Sequence, residues 1–182
     1  MKLPAKLETA RLVIRPYTRE DWDSFLEFMM CKKVTDYLDF NEAQKTPKGA
    51  KELLTMTLNS YETSEPLFAL VITSKISNLF MGSCGFSPLD SNRSCECFYS
   101  LFPQYWDQGF ATEAMKSLFN YGFIQMNLSQ IMAHVNKENY RSIKVAKKLG
   151  MKQRGVKEFR GKPEQGILFA ITQDEYIQQT KL

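Results

Sequence analysis

The chain has 182 residues, a formal net charge of +4, 43% hydrophobic residues and 24% charged residues. This composition is typical of a soluble globular protein, and the length suits one domain with one substantial core across residues 1–182. No apolar run approaches the roughly 18 residues needed to cross a bilayer, and the opening MKLPAKLETARL lacks the apolar segment of a secretory signal. We therefore expect a single-domain cytoplasmic protein without a membrane partner.

The first third of the chain predicts one strand and two helices. Alternating apolar residues predict the strand over residues 10–18. A helix is expected to begin after Thr18, which is placed to cap it, because Asp21 occupies the capping-box position. A second helix is predicted from about residue 47 to residue 61, with a proline in its first turn.

The rest of the chain predicts six strands and two helices. The first three strands are separated by short polar turns, which suits an antiparallel meander, and Gly150 is placed to close the second helix. The order β-α-α-β-β-β-α-β-α-β-β indicates an α/β fold: a mixed sheet of about seven strands flanked by about four helices. The predicted strands cover residues 66–73, 78–90, 93–103, 130–135, 151–156 and 166–172, and the predicted helices cover residues 109–125 and 138–150.

Cysteine and histidine usage argues against a metal site. The four cysteines, Cys31, Cys84, Cys95 and Cys97, have neither the spacing of zinc ligands nor that of a small disulfide framework. We expect reduced thiols, mostly buried, and no metal. The single histidine, His134, lies in an alternating strand, where a hydrogen-bonded structural role is favoured over a role as a general base.

The segment QYWDQGFATEA, residues 104–114, marks a turn from a strand into a helix. A helix N-terminus carries unpaired N–H donors and about half a positive charge, which suits a phosphate. Gly109 and Ala111 leave the backbone accessible, Thr112 adds a hydroxyl, and Glu113 suits the dipole of the first turn. On these residues alone an ordinary capped helix and a phosphate site both remain open, because the turn lacks the glycine and lysine pattern of a P-loop.

This turn resembles the loop that binds the pyrophosphate of coenzyme A in the GCN5-related N-acetyltransferase (GNAT) superfamily. The family pattern is Arg or Gln, two variable positions, Gly, one variable position, then Gly or Ala. The wording YW-x-x-G-[FY]-A-T-E-A is similar to the branch that includes the ribosomal-protein N-terminal acetyltransferases, in which tryptophan replaces the leading residue. The matching positions are Trp106, Asp107, Gln108, Gly109, Phe110 and Ala111.

Three further segments match that branch in the same order. LETARLVIRPYTREDWDSF resembles its opening strand and first helix, NKENYRSIKVAKKLGM its second coenzyme segment, and LFAITQDEY its closing strand. The resemblance covers about residues 7–176. It implies the GNAT fold, with a splay between the parallel strands CECFYSL and QIMAHV, and a monomeric or homodimeric N-acetyltransferase that moves the acetyl group of acetyl-CoA to a primary amine.

The resemblance also implies which residues bind the cosubstrate. The backbone of residues 99–101 would meet the pantetheine arm, the amides of residues 107–112 the pyrophosphate, and Lys148 or Lys144 the 3′-phosphate. Asp107 departs from the glycine that many members carry and places a carboxylate beside the expected pyrophosphate. The cofactor-binding positions are Tyr99, Ser100, Leu101, Trp106, Asp107, Gln108, Gly109, Phe110, Ala111, Thr112, Asn139, Ser142 and Lys148.

Three residues are predicted to take part in catalysis. Glu96 lies close to where the superfamily often carries a glutamate that deprotonates the amine, although an exposed strand residue or a partner of Arg93 is the alternative. The tyrosine that protonates the thiolate in many members is replaced by Ala146, so Ser142 is assigned as its substitute. Asn139 would orient the pantetheine or the thioester and is also placed to cap its helix.

Two other functions remain open on the sequence. A non-catalytic module that binds or senses acyl-CoA would keep the pocket without turnover. The other is a small basic nucleic-acid or ribosome-surface protein, but its aromatic residues lack the basic interleaving of a nucleic-acid platform, so no nucleic-acid partner is expected. The basic stretch at residues 137–157 is explained by a solvated helix face and a local anion site. The acceptor amine stays unidentified, although the acidic segments DYLDFNEAQ and YETSEP would suit a cationic acceptor.

Overall fold

The computed structural model of the protein describes residues 2–38, 40–89, 93–159 and 162–180. Within that part of the chain, eight strands form one sheet in the order β1-β2-β3-β4-β5-β6-β8-β7. Neighbouring strands are antiparallel except β5 and β6, which are parallel, so the predicted mixed sheet is confirmed. The strands are β1 (Leu7–Glu8), β2 (Leu12–Pro16), β3 (Phe68–Ser74), β4 (Phe80–Pro88), β5 (Ser94–Leu101), β6 (Gln130–Asn136), β7 (Lys152–Phe159) and β8 (Lys162–Thr172).

The same residues contain six α-helices, which pack on the two faces of the sheet. One apolar cluster joins the sheet to the first and third helices, and a second, larger cluster joins the opposite face to the last three. None of the described helices is both long enough and apolar enough to span a membrane. The helices are α1 (Trp22–Met30), α2 (Lys32–Thr35), α3 (Pro47–Ser60), α4 (Phe110–Asn120), α5 (Tyr140–Lys148) and α6 (Gln173–Thr180).

Strand β3 shows why both faces of the sheet are covered. Leu70 and Ile72 point into the larger cluster, whereas Val71 between them points into the other. All three side chains are fully buried. Successive side chains of a strand alternate between faces, so a continuous apolar run indicates a strand that is packed on both sides.

The helix boundaries follow local capping signals, as predicted. The Thr18 N–H donates to the Asp21 carboxylate (2.8 Å) at a single 3₁₀ turn that leads into α1, and the Thr46 hydroxyl accepts from the third residue of α3. Gly150, at φ +77°, ends α5 with the two hydrogen bonds of a Schellman motif. Each of these signals lies within a few residues of the helix end that it sets.

Two predicted elements differ from the structure. The segment predicted as one helix over residues 109–125 is α4 followed directly by a short π-helix (Tyr121–Gln125). The closing segment is not only a strand: β8 ends at Thr172 and α6 follows it. Thr172 and Glu175 form a reciprocal cap, a T-x-x-E signal that was available in the sequence. The predicted turn at residues 90–92 lies outside the described residues.

Candidate active site

Strands β5 and β6 separate beyond their first three residues. Parallel pairing joins residues 94–96 to residues 130–132. Beyond that point β5 pairs with β4 as far as Leu101, and β6 pairs with β8 as far as Asn136. The diverging halves of the two strands line a cleft of about 1190 Å³, so the predicted splay is present and it opens directly into a large site.

A carboxylate and an imidazole meet where the two strands part. Glu96 Oε1 lies 3.0 Å from His134 Nδ1 and also accepts from the His134 backbone N–H (3.3 Å). The two side chains are 33% and 32% exposed, and both line the cleft. Glu96 contacts Nδ1, so Nε2 is the ring nitrogen that this carboxylate does not engage. The described partner of Glu96 is therefore His134 and not Arg93, which places beside the predicted base a histidine for which the sequence favoured a structural role.

The loop after β5 turns sharply into α4. The Trp106 indole N–H donates to the Leu101 carbonyl (2.7 Å), which folds the loop back onto the end of the strand. Asp107 and Gly109 both have left-handed backbones, at φ +58° and φ +82°, and Gly109 is the N-cap of α4. A glycine adopts that conformation without strain and holds no side chain over the first-turn amides, which have no carbonyl partner inside the helix.

The Asp107 side chain turns toward α5. Its Oδ2 accepts from Arg141 Nε (2.9 Å), and the Arg141 guanidinium lies 4.7 Å from the centroid of the Trp106 ring. All three residues line the cleft. The carboxylate that the sequence placed beside a pyrophosphate is thus partly neutralised by a cation that is itself held against the loop.

A second set of contacts holds the loop and the start of α4 against the N-terminal segment of the chain. Glu113, in the first turn of α4, accepts from the Thr9 hydroxyl (2.6 Å), the Arg11 N–H (2.9 Å) and Arg11 Nε (2.7 Å). Arg11 also donates to the Gln108 carbonyl (3.2 Å) and lies 4.1 Å from the centroid of the Phe110 ring. Thr9 and Arg11 were not predicted to belong to the site, since about a hundred residues separate them from the loop.

Helix α5 faces β5 across the splay. The Asn139 side-chain oxygen accepts from the Ser142 N–H (3.1 Å), which confirms Asn139 as the N-cap. The Ser142 hydroxyl lies 2.8 Å from the Tyr99 hydroxyl, so two hydroxyls bridge the helix and the strand. Burial raises the pKa of Tyr99, which keeps the phenol protonated. The sequence analysis assigned a role to the Tyr99 backbone and overlooked its side chain.

The family follows from a comparison with known proteins. The profile of the acetyltransferase (GNAT) domain matches residues 11–152. The chain belongs to the GNAT acetyltransferase family. An uncharacterised N-acetyltransferase of Bacillus licheniformis, p20, is 30% identical over 175 residues, which cover 93% of this chain and 97% of that protein. The spermidine N(1)-acetyltransferase of Escherichia coli is 33% identical over 94 residues, half of each chain.

Solved structures show the same fold. A GNAT acetyltransferase from Bacillus anthracis superposes with a TM-score of 0.80 at 22% identity, over 93% of this chain and 99% of that one. A ribosomal-protein-S5-alanine acetyltransferase from Vibrio fischeri gives 0.79 at 21%, over 95% and 99%. A spermidine N-acetyltransferase from Vibrio cholerae, solved with CoA and spermine, gives 0.77 at 21%, over 93% and 99%. At these identities the likeness concerns the fold.

The cleft of this GNAT acetyltransferase fits the thioester cosubstrate of its family. Past Glu96 the backbone of β5 faces the splay instead of pairing with β6. The loop ends in Gly109, which holds no side chain over the first-turn amides; outside the adjoining chain, the described atom that an added Cβ would approach is Arg11 Nη2, at 3.6 Å. These are the features that an extended arm and a pyrophosphate require.

Most of the predicted cofactor-binding residues line this cleft. Lys144 and Lys148 lie along the exposed side of α5 that faces it. Gln108 differs, because its side-chain amide folds back onto the Gln104 carbonyl (2.7 Å) and is not part of the described wall. The Ser100 hydroxyl donates to the Val34 carbonyl (3.0 Å), so it holds α2 against β5.

The thiols of this acetyltransferase lie outside that chemistry. Cys84, Cys95 and Cys97 are buried, and burial raises the pKa of Cys84 and Cys97. Thiols in that state are poor nucleophiles. In the part of the chain that the structure describes, no group of three or more His, Cys, Asp and Glu side chains is arranged to hold a metal ion.

Proposed function

We propose that the protein transfers the acetyl group of acetyl-CoA to a primary amine by direct attack of the amine on the thioester. One observation carries the proposal. The Glu96–His134 pair and the Tyr99–Ser142 pair line the same splay, which ends at an amide-rich helix N-terminus. A proton acceptor, hydrogen-bond donors and an anion site are the three parts that this reaction needs.

The chain would hold the cosubstrate along the splay. The backbone of residues 99–101 is placed for the pantetheine arm, and the amides of residues 107–112 for the pyrophosphate. Lys144 and Lys148 are placed for the 3′-phosphate, and the Asn139 amide group for the arm near α5. Acetyl-CoA supplies an activated acyl carbon, and the residues around it supply orientation and proton transfer.

The Glu96–His134 pair would take the proton from the attacking amine. His134 Nε2 accepts it, directly or through a water, and Glu96 stabilises the imidazolium at Nδ1. Glu96 then acts through His134, whereas the sequence analysis assigned the proton to Glu96 itself. Support for this order comes from the 3.0 Å contact at Nδ1, which occupies the carboxylate with the ring.

The Tyr99–Ser142 pair would receive the departing thiolate. Ser142 donates a hydrogen bond toward the sulfur, and Tyr99, whose raised pKa keeps it protonated, supports the serine hydroxyl from behind. The thiolate gains one proton and the amine loses one, so the pair only has to relay a proton that the first pair releases. This pair occupies the role that a tyrosine at Ala146 fills in many relatives.

Thiol release from acetyl-CoA with a panel of primary amines tests the proposal. The native protein should release thiol in proportion to amine consumed, and His134→Gln should lower kcat/KM by about a hundredfold or more. Glu96→Gln should retain part of the activity, because His134 can still accept the proton although the amide no longer stabilises the imidazolium. Glu20→Gln, at an exposed carboxylate outside the described lining of the cleft, is the control.

Two outcomes would change the conclusion. Full loss in Glu96→Gln with normal activity in His134→Gln would return the base to Glu96. Thermal stabilisation by CoA without thiol release from any amine would favour a binding or sensing module over an enzyme.

The remaining assignments are part of the same proposal. A single domain over residues 1–182 is supported by a sheet that uses strands from both ends of the described chain. A cytoplasmic location is supported by the spacing of the cysteines, which does not suit a disulfide framework. Membership of the ribosomal-protein branch is supported by the sequence motif YW-x-x-G-F-A-T-E-A. A monomeric or homodimeric state is supported by the family. The acceptor class is argued separately below.

A further inference from the structure

The cleft continues past the Glu96–His134 pair toward the helices of the opposite face. Ser87 lies directly across from Glu96 in the β4–β5 ladder and lines the cleft, as do residues of α2, α3 and the start of β3. The Ser100–Val34 hydrogen bond holds α2 beside the end of β5. An amine that reaches the pair from this side would therefore rest its body on these elements, which we call the acceptor wall.

The acceptor wall is apolar. Buried aliphatic residues form its floor, among them Val34 on α2 and Leu54 on α3. Tyr37 and Met56 remain 42% and 52% exposed at its rim. Large apolar side chains exposed singly are ordinary, but several from separate elements around one cleft indicate a surface that a ligand covers.

Leu67, 42% exposed at the start of β3, completes the rim. Together with Tyr37 after α2 and Met56 on α3, it places one exposed apolar side chain on each of three segments around the same opening. The three segments lie far apart in sequence and meet only in the fold. All three residues line the same cleft as the Glu96–His134 pair.

The charges of the cleft oppose an acceptor with several positive charges. Its described carboxylates are Glu96, Glu158 and Asp107; Glu96 is bonded to His134 and Asp107 to Arg141. Glu158 also has an interaction of its own. The charged side chain that α2 adds to the wall is Lys33, which repels a second ammonium group.

We propose that the acceptor is a primary amine on an aliphatic or aromatic body that carries no second positive charge. The inference rests on the proposed acetyl transfer and names its substrate class. Only the reacting nitrogen meets a proton acceptor, and the rest of the molecule exchanges water for the apolar wall. A polyamine, such as the spermine bound to the relative from Vibrio cholerae, would bring several charges against that wall and against Lys33.

A matched pair of amines tests the inference: n-hexylamine and hexane-1,6-diamine, which have the same carbon chain and differ by one ammonium group. Thiol release should give hexylamine a kcat/KM at least tenfold higher than the diamine, and phenethylamine should behave like hexylamine. Spermidine should be used no better than the diamine. Equal or better use of the diamine or of spermidine overturns the inference, whereas thiol release from none of the amines contradicts the proposed function instead.

Substitutions in the wall give a second readout. Met56→Glu and Leu67→Glu each add a carboxylate at the rim and should shift the ratio of hexylamine to diamine turnover at least fivefold toward the diamine. Met30→Glu and Leu79→Glu are the matched controls, since both residues are exposed and lie outside the described wall of the cleft. If the rim variants and their controls show the same ratio, the acceptor does not rest on this wall.

Glu158→Gln separates one remaining route. If the diamine is used and its turnover depends on Glu158, that carboxylate receives the second ammonium and the inference is wrong. Unchanged ratios in this variant support it. Because these measurements are ratios within one variant, a general loss of stability does not change their meaning.

Discussion

Arg141 Nε lies 2.9 Å from Asp107 Oδ2, so an ion pair joins the loop before α4 to helix α5 on the other side of the cleft. The pair is exposed, with 59% and 64% of the two side chains accessible, and it gains support from the Trp106 ring under the guanidinium. An exposed pair of this kind contributes little to folding stability. We expect the ion pair to affect the binding of an anionic ligand instead.

Asp107→Asn should lower the KM for acetyl-CoA by a factor of about two to five, with kcat unchanged. The substitution removes a negative charge beside the expected pyrophosphate and frees Arg141, a change of about 0.5–1 kcal/mol for exposed charges. Raising the salt concentration should shrink the effect, because salt screens exposed charges. Steady-state kinetics at two ionic strengths measures it, with Asp174→Asn as the control.

Arg141→Gln should change the KM for acetyl-CoA in the opposite direction to Asp107→Asn. Asp107 then faces the ligand without its cation, so the KM should rise. A rise in KM for Asp107→Asn as well would mean that the ion pair shapes the loop instead of balancing its charge.

Arg11→Met should raise the KM for acetyl-CoA about fivefold, with kcat nearly unchanged. Arg11 holds both the Glu113 carboxylate and the Gln108 carbonyl, and losing one such charged contact corresponds to about 1 kcal/mol. The loop should then lose the orientation of its amides. Arg19→Met, an exposed arginine near α1, is the control, and equal KM values for the two variants would contradict the role of Arg11.

Tyr99→Phe should lower kcat by about ten- to a hundredfold and leave the KM for acetyl-CoA within about twofold, because the hydroxyl supports Ser142, which donates to the departing thiolate. Ser142→Ala should have a similar effect. The two losses should not add in the double variant, since each removes the same hydrogen-bonded pair. Tyr140→Phe, at an exposed position on α5, is the control. Additive losses would show that the two hydroxyls act separately.

Glu175 should make the stability depend on pH. Hydrogen bonds from Lys152 and from the Thr172 N–H, together with Arg154, lower the pKa of Glu175 to about 2 from an ordinary value of 4.5. A carboxylate whose folded pKa is depressed stabilises the fold above its unfolded pKa and loses that contribution as pH falls through the folded value. These contacts tie β7 and β8 to α6.

Urea unfolding between pH 6 and pH 3 measures this contribution. The stability lost in Glu175→Gln should be largest at pH 6 and should shrink steadily below about pH 4.5. Glu62→Gln should show no such dependence. A constant loss across the range would mean that Glu175 acts by packing and not by charge.

The sequence predicted those parts of the fold whose causes are local. The capping box at Thr18, the Schellman end at Gly150 and the cap at Asn139 depend on residues within four or five positions, and each was predicted. Alternating and helical patterns placed the strands and most helices for the same reason. Helix α6 was not predicted, although the Thr172–Glu175 capping signal at its start is visible in the sequence.

The chemistry of the site depends on pairs that only the folded chain brings together. Glu96 and His134 are 38 positions apart, and Asp107 and Arg141 34 positions apart. Arg11 and Glu113 are separated by 102 positions. Their contacts depend on where β5 and β6 part and on how α4 packs against the β1–β2 end of the sheet.

By itself the sequence determined most of the elements, the loop and its family, because neighbouring side chains decide caps and periodicity, and a loop motif is a continuous pattern in the chain. The tertiary structure decided that the carboxylate of Glu96 faces a ring, that Asp107 has a cation beside it, and that the acceptor wall is apolar. Each of these depends on side chains from separate strands and helices, whose distances are set by packing of the whole core.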